Sequence, residues 1–163
     1  MANNKLEKIL ISGCFLGLNV RYNGQEKALH HASINRWLRQ KRLITVCPEV
    51  AGGLSVPRAP AEIQKSGQIL DNLGADVTKQ FSVGAEHALA LCQAHQIKYA
   101  LLKESSPSCG RHMIYDGSFS NKKIAGQGLT CQLLLKAGVQ VFSEQNIDQL
   151  EQLIEGEDQA LAI

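Results

Sequence analysis

Three cysteines, Cys14, Cys47 and Cys109, each stand at or just past the end of a short apolar run and lead into polar or turn-forming residues. The third setting carries the most chemistry. Tyr99–Leu102 is apolar, and Lys103-Glu104-Ser105-Ser106-Pro107-Ser108-Cys109-Gly110 then packs a charged pair, three hydroxyls and a thiol into one tight loop. Three thiolates gathered in one place would hold three irons of a cubane cluster and leave the fourth iron open. They would equally hold zinc with a water in its fourth position, whereas hard cations such as magnesium are excluded by the soft ligands. The residue types alone do not choose between these centres, or between either of them and cysteines that merely end strands.

The polar neighbours favour a working site. Glu49 lies two residues beyond Cys47, and Ser105 precedes Cys109 in its loop. Beside an open metal position, a carboxylate serves as general base on water and a hydroxyl orients or donates a proton. The plainer alternatives are a capping or salt-bridging carboxylate for Glu49 and a backbone-bonded loop hydroxyl for Ser105. Cys92 and Cys131 fall inside helical stretches and read as small buried hydrophobes.

Five cysteines, an odd number with no CxxC pair, argue against a disulfide framework and against a zinc ribbon. A net charge of +2 over 163 residues gives no reason to expect sequence-independent binding to nucleic acid. The chain has no apolar run of membrane-spanning length. Its polar lead, Met1–Lys8, enters a strand directly and is unlike a signal peptide. The expected setting is the cytoplasm.

Elements that would bring the three cysteines together follow from the patterning. Lys8–Cys14, Leu43–Val46, Tyr99–Leu102 and Val139–Phe142 read as strands. Between them, Leu29–Gln40, Lys79–His95 and Leu129–Ala137 read as helices, with Thr78 as N-cap of the second and Gly138 stopping the third. Leu29, Ile34, Trp37 and Leu38 would form the apolar face of the first helix; Val83, Leu89 and Leu91 would be the buried side of the second. Glu62–Val77 reads as a short hairpin or an irregular excursion. Arg111–Gly128 reads as a long polar loop or lid, whose Gly126-Gln127-Gly128 would present backbone N–H groups to an anion at the following helix. Asn146 caps a last helix through Ile154, after which the tail frays. Alternating strands and helices with mostly buried strands predict an α/β fold in a single domain over 1–163. It is a Rossmann-like open, mostly parallel sheet with helices on both faces. In such a sheet the strand ends share one edge, and ligands bind in the crevice outside it, so Cys14, Cys47 and Cys109 would converge.

A longer series of motifs adds identity. Ile9-Leu10-Ile11-Ser12-Gly13-Cys14-Phe15-Leu16-Gly17, Val20-Arg21-Tyr22-Asn23-Gly24, Val46-Cys47-Pro48-Glu49-Val50-Ala51-Gly52-Gly53-Leu54 and Pro57-Arg58-Ala59-Pro60-Ala61-Glu62-Ile63 occur in order. Gly74-Ala75-Asp76-Val77-Thr78, Leu102 through Gly110, Ile114-Tyr115-Asp116-Gly117 and Gly126-Gln127-Gly128-Leu129-Thr130 follow. Together, from about Ile9 to Glu144, they resemble the thiouracil desulfidase family. The resemblance implies a [4Fe-4S] cluster held by Cys14, Cys47 and Cys109, with a fourth iron open to a thiocarbonyl sulfur. It implies Glu49 and Ser105 as the acid–base and positioning residues. The implied reaction is non-redox: a small thiolated pyrimidine, 2-thiouracil or a related thiolated uracil, plus water gives uracil and hydrogen sulfide. Arg21, Arg58, Lys103, Ser106 and Ser108 are the candidates for holding that substrate. A zinc hydrolase on the same thiolates, and a non-catalytic iron–sulfur sensor or sulfur-transfer accessory protein, are the competing expectations.

Overall fold

The structure, a computed structural model, describes residues 5–24 and 28–163; the first half of the polar lead, residues 1–4, lies outside them. Along the chain the elements are β1 (Ile9–Ser12), a 3-10 turn (Gly13–Leu16), α1 (Ala32–Arg39), β2 (Leu43–Val46), α2 (Pro48–Ala51), β3 (Ala61–Ile63) and β4 (Ile69–Asp71). They continue with α3 (Thr78–His95), β5 (Tyr99–Leu101), β6 (Met113–Tyr115), β7 (Lys123–Ala125), α4 (Leu129–Lys136), β8 (Gln140–Phe142) and α5 (Ile147–Leu161).

The expected α/β architecture is present. Four parallel strands form one sheet in the order β2-β1-β5-β8. Successive strand side chains point to opposite faces, and each face meets helices. Ile9, Ile11, Tyr99 and Leu101 pack with Ile34 and Trp37 of α1 and Leu150 and Ile154 of α5. Leu10, Ala100 and Leu102 pack with Ala88 and Cys92 of α3 and Cys131 and Leu134 of α4. Burial on both faces is why the strands read as continuous apolar runs. Because β1 is flanked by β2 on one side and β5 on the other, the order reverses at β1 and β5. That opens a crevice at their C-terminal ends.

Several local expectations are corrected. α1 begins only at Ala32, because the His31 ring Nδ1 accepts the Ser33 N–H at 3.1 Å and caps it there; Leu38 is exposed. Thr78 is the first residue of α3 and not its cap. Its Oγ1 accepts the Ile69 N–H at 2.9 Å, tying α3 to β4, while Asp76 accepts the Thr78 N–H. The buried stripe of α3 is Phe81, Gly84, Ala85, Ala88 and Cys92, and Val83 is exposed, because neighbouring helices approach through its small residues. The Glu62–Val77 stretch contains the antiparallel hairpin β3–β4, and the supposed long loop Arg111–Gly128 contains a second, β6–β7. α5 continues past Ile154 to Leu161, held by Arg42, fully buried and paired with Asp158, and by Tyr99 donating to Glu157 at 2.8 Å. Among the described residues no helix is long and apolar enough to cross a membrane.

Candidate active site

Each cysteine reaches the crevice by a different device. Cys14 sits in the 3-10 turn that closes β1, 6% exposed. Cys47 ends β2 at the N-cap of α2, and Pro48 fills the first helical position, where a missing N–H costs nothing. Glu49 is therefore in the first turn of α2, directly beside Cys47. Helix α2 lies flush on α3 because two glycines permit it. A Cβ on Gly84 would sit 1.9 Å from the Pro48 carbonyl oxygen, and one on Gly52 would sit 1.9 Å from that of Gln80.

Cys109 hangs on a loop built around the Glu104 carboxylate, which is 3% exposed. Oε1 accepts the N–H groups of Arg111, His112 and Met113 at 2.8, 2.9 and 3.1 Å and that of Ser105 at 3.3 Å. Oε2 lies 2.9 Å from His112 Nδ1. Burial pushes this carboxyl's pKa up, but the His112 backbone and ring and the Met113 N–H outweigh it and bring it down to about 2. On the far side of the loop, α4 seals it. Its first N–H groups, from Gly128 to Thr130, donate to the carbonyls of Gly110, Pro107 and Ser108 at 2.8 to 2.9 Å. This corrects the expected anion site at Gly126-Gln127-Gly128: the Gly126 N–H donates to the His112 carbonyl and the Gly128 N–H to that of Gly110. Gly128 has to be glycine for that approach, since a Cβ would lie 2.4 Å from the Ser108 carbonyl.

One cavity of about 500 Å³ is lined by Cys14, Cys47 and Cys109 together with Ser12, Arg21, Glu49, Arg58, Lys103, Ser105 and Ser106. Among the site candidates Ser108 does not reach it. Its hydroxyl is buried 2.8 Å from that of Thr130 and fastens the loop to α4. Arg58 grips Glu49: Nε donates to Oε2 at 2.8 Å and Nη2 approaches the same oxygen at 2.6 Å, while Nη2 and Nη1 also donate to the carbonyls of Val20 and Ser55. Ser106 Oγ donates to the other oxygen, Oε1, at 3.2 Å and accepts the N–H groups of Ser108 and Cys109. Lys103 pairs with Glu144 at 3.0 Å. Arg21 stands 5.9 Å from the centre of the Tyr22 ring. Ser105 is held at φ 68, in the left-handed region that a non-glycine residue rarely adopts. Its Oγ makes no hydrogen bond among the described residues.

The thiols share one electrostatic environment. Burial, then the neighbouring Cys47, pushes Cys14 up to about 11, against Lys103 and Arg21. Burial also raises Cys47, opposed by the N–H groups of Val50 and Glu49. Cys109 is raised well above the ordinary range by burial, then by Cys47, Glu49 and Cys14. Bringing positive charge among three such thiols would deprotonate them, since coordination and proton release are coupled. By contrast, Cys92 and Cys131 are buried in helix-packed apolar surroundings and do not line the cavity.

Two participants were not anticipated from sequence. Ser12 accepts the Lys103 N–H at 3.0 Å and directs its hydroxyl to Cys109 Sγ at 3.8 Å, bridging the ends of β1 and β5. Its signal was a hydroxyl closing an otherwise apolar strand. Glu144, which holds Lys103 and the Glu104 N–H, had none.

Comparison with known proteins bears on this arrangement. The 2-thiouracil desulfurase family matches residues 9–146. A Bacillus subtilis (strain 168) protein described as uncharacterized protein YbbK is 39% identical over 151 residues, which are 87% of this chain and 99% of that one. A solved structure described as the [4Fe-4S]-dependent thiouracil desulfidase TudS is similar at a TM-score of 0.89 and 46% identity. The match covers 91% of this chain and 98% of the other.

Proposed function

From the premise that this chain belongs to the 2-thiouracil desulfurase family, we infer that it is an iron–sulfur-dependent desulfidase acting as one domain over residues 1–163. It converts 2-thiouracil or a related thiolated uracil, with water, into uracil and hydrogen sulfide. The observation that carries this reading is the convergence of Cys14, Cys47 and Cys109, from three strand ends, on one cavity wall beside Glu49 and Ser105. The donor set fits a [4Fe-4S] cluster with Cys14, Cys47 and Cys109 as its holders: three soft thiolates leave one iron without a protein ligand. Three thiolates would also suit zinc; the similarity at 46% identity to a [4Fe-4S]-dependent thiouracil desulfidase supports a cluster over zinc. When bound, such a cluster supplies a soft Lewis acid to a thiocarbonyl sulfur.

The remaining work falls to the protein. The Glu49 carboxylate, fixed by Arg58 on one oxygen and Ser106 on the other, takes the proton of a water aimed at the thiolated ring carbon. The Ser105 hydroxyl, held at the cavity wall by a strained backbone, donates to the ring or to the oxygen that gains charge. No electrons are exchanged: the C=S double bond is replaced by a C=O double bond through addition of water and loss of sulfur, and the two protons of water leave with sulfide as hydrogen sulfide. Arg21 and Lys103, which favour the thiolate form of Cys14, offset the negative charge of the ligands.

The test is anaerobic reconstitution with iron and sulfide, followed by sulfide release from 2-thiouracil. The wild type should be brown and active. Cys14→Ala, Cys47→Ala and Cys109→Ala should each lose iron and activity. Glu49→Ala and Ser105→Ala should keep iron and lose turnover. A colourless protein with stoichiometric zinc, or an iron-loaded wild type that releases no sulfide, would overturn the reading.

A further inference from the structure

The β3–β4 and β6–β7 hairpins also contribute to the cavity lining, through Ala61 and Glu62 and through Tyr115, Phe119 and Lys123. Glu62, at the centre of β3 and 8% exposed, sends its carboxylate across to the second hairpin. Oε2 accepts the N–H groups of Gly117 at 2.8 Å and Phe119 at 3.1 Å. The clamp holds Phe119 at φ 56, a left-handed conformation that non-glycine residues rarely adopt. A buried carboxylate thus secures a strained backbone beside an aromatic residue of the cavity lining that is 39% exposed.

The other aromatic rings on this cavity are differently placed. Tyr22 has the Arg21 guanidinium 5.9 Å from its centre, and Tyr115 has the Lys123 ammonium 5.4 Å from its centre. Among the described residues, no cation is positioned over Phe119. Of the three aromatic residues on the lining, Tyr22, Tyr115 and Phe119, it is the one whose ring carries no hydroxyl, and it is 39% exposed.

Resting on the desulfidase reading, we propose that Phe119 is a specificity-determining residue. Its ring is the stacking platform for the planar pyrimidine, and Glu62 is the positioning residue that sets it there. Stacking of a base on an aromatic side chain is sequence-tolerant but demands a flat π-face, so the device selects aromatic thiocarbonyls over puckered ones with the same N–C(=S)–N unit.

The probes are 2-thiouracil and its 5,6-dihydro analogue, which keeps the thiocarbonyl but loses ring planarity. With reconstituted protein, Phe119→Ala should raise KM for 2-thiouracil on the order of ten-fold, leave kcat within about two-fold, and leave KM for the dihydro analogue unchanged. Phe119→Trp should restore the wild-type KM. Glu62→Ala should shift KM in the same direction as Phe119→Ala, and Glu62→Gln, which retains an acceptor, should recover most of it. Equilibrium dialysis of uracil against the same proteins reads stacking without turnover, and Phe119→Ala should bind about ten-fold more weakly. An active wild type whose Phe119→Ala variant has an unchanged KM and unchanged uracil affinity overturns the proposal. A wild type that binds uracil in a Phe119-dependent manner but releases no sulfide overturns the desulfidase reading and leaves the stacking platform standing.

Discussion

Ser106 and Glu49, 57 residues apart in sequence, are joined side chain to side chain: Ser106 Oγ donates to Glu49 Oε1 at 3.2 Å. The same hydroxyl oxygen accepts the N–H groups of Ser108 and Cys109 at 3.0 and 3.2 Å. One small side chain therefore fixes both the carboxylate on α2 and the backbone that presents the Cys109 thiol.

Ser106→Ala should accordingly impair two properties at once. Glu49 loses the partner of one oxygen, and two N–H groups in the cysteine loop lose their acceptor, a loss on the order of 1–3 kcal/mol for a buried donor. Iron content after reconstitution and turnover per iron should both fall, and Ser106→Thr, which keeps the hydroxyl, should recover both. Ser105→Ala should differ by keeping full iron content. Equal behaviour of the two alanine variants would contradict the division of labour.

Arg58→Lys tests whether geometry or charge matters at Glu49. The guanidinium contacts Oε2 through two nitrogens and holds the Val20 and Ser55 carbonyls as well. Lysine keeps the charge but not the planar fork. Turnover per iron should drop about ten-fold or more, equivalent to at least ~1.4 kcal/mol of barrier. A lysine variant with unchanged kcat would mean that a positive charge alone suffices.

The sheet and the convergence of the three cysteines were legible in the sequence for a single reason. A parallel sheet covered on both faces leaves continuous apolar strands, so the ends of those strands, with Cys14, Cys47 and Cys109, stand out. The second tier was not legible. Ser106 and Arg58 read as candidates for holding substrate and not as the partners of Glu49, because that role depends on contacts made across the cavity. Glu104 read only as half of a charged pair in the cysteine loop, because the four N–H groups it gathers lie up to nine residues away around a turn whose shape the sequence does not announce. The β6–β7 hairpin was missed because its strands are three residues each and β7 is exposed throughout, which leaves no apolar alternation to read.

Gly84 tests the seating of α2. With a Cβ 1.9 Å from the Pro48 carbonyl oxygen and 2.6 Å from its carbon, Gly84→Ala has to push α2 off α3. Pro48 lies between Cys47 and Glu49, so both move. Overpacking of this kind costs on the order of 1–3 kcal/mol, a Tm lower by roughly 2–12 °C for a chain of this size, and iron loading should fall with it. Gly156, inside α5 with open space around it, is the control: Gly156→Ala should raise stability by about 0.5–1 kcal/mol. Gly84→Ala with wild-type Tm and wild-type iron content would show that the helices have slack.

The last prediction concerns acid. Glu104 has its pKa lowered from 4.5 to about 2 in the folded protein, so its ionised form is bound more tightly by the fold than by the unfolded chain. The stabilisation is fully present above pH 4.5 and is lost as pH falls from 4.5 through 2. The size of the shift corresponds to on the order of 3 kcal/mol. Glu104→Gln removes the charge and the second oxygen, which faces His112 Nδ1, while keeping one carbonyl oxygen for the N–H groups of Arg111, His112 and Met113. At pH 7 the variant should therefore be markedly less stable than the wild type in urea denaturation of the cluster-free proteins. Between pH 4.5 and pH 2.5 the gap should narrow steadily, because the wild type loses what the variant never had. A gap that is large and constant with pH would place the contribution of Glu104 in packing and not in its charge.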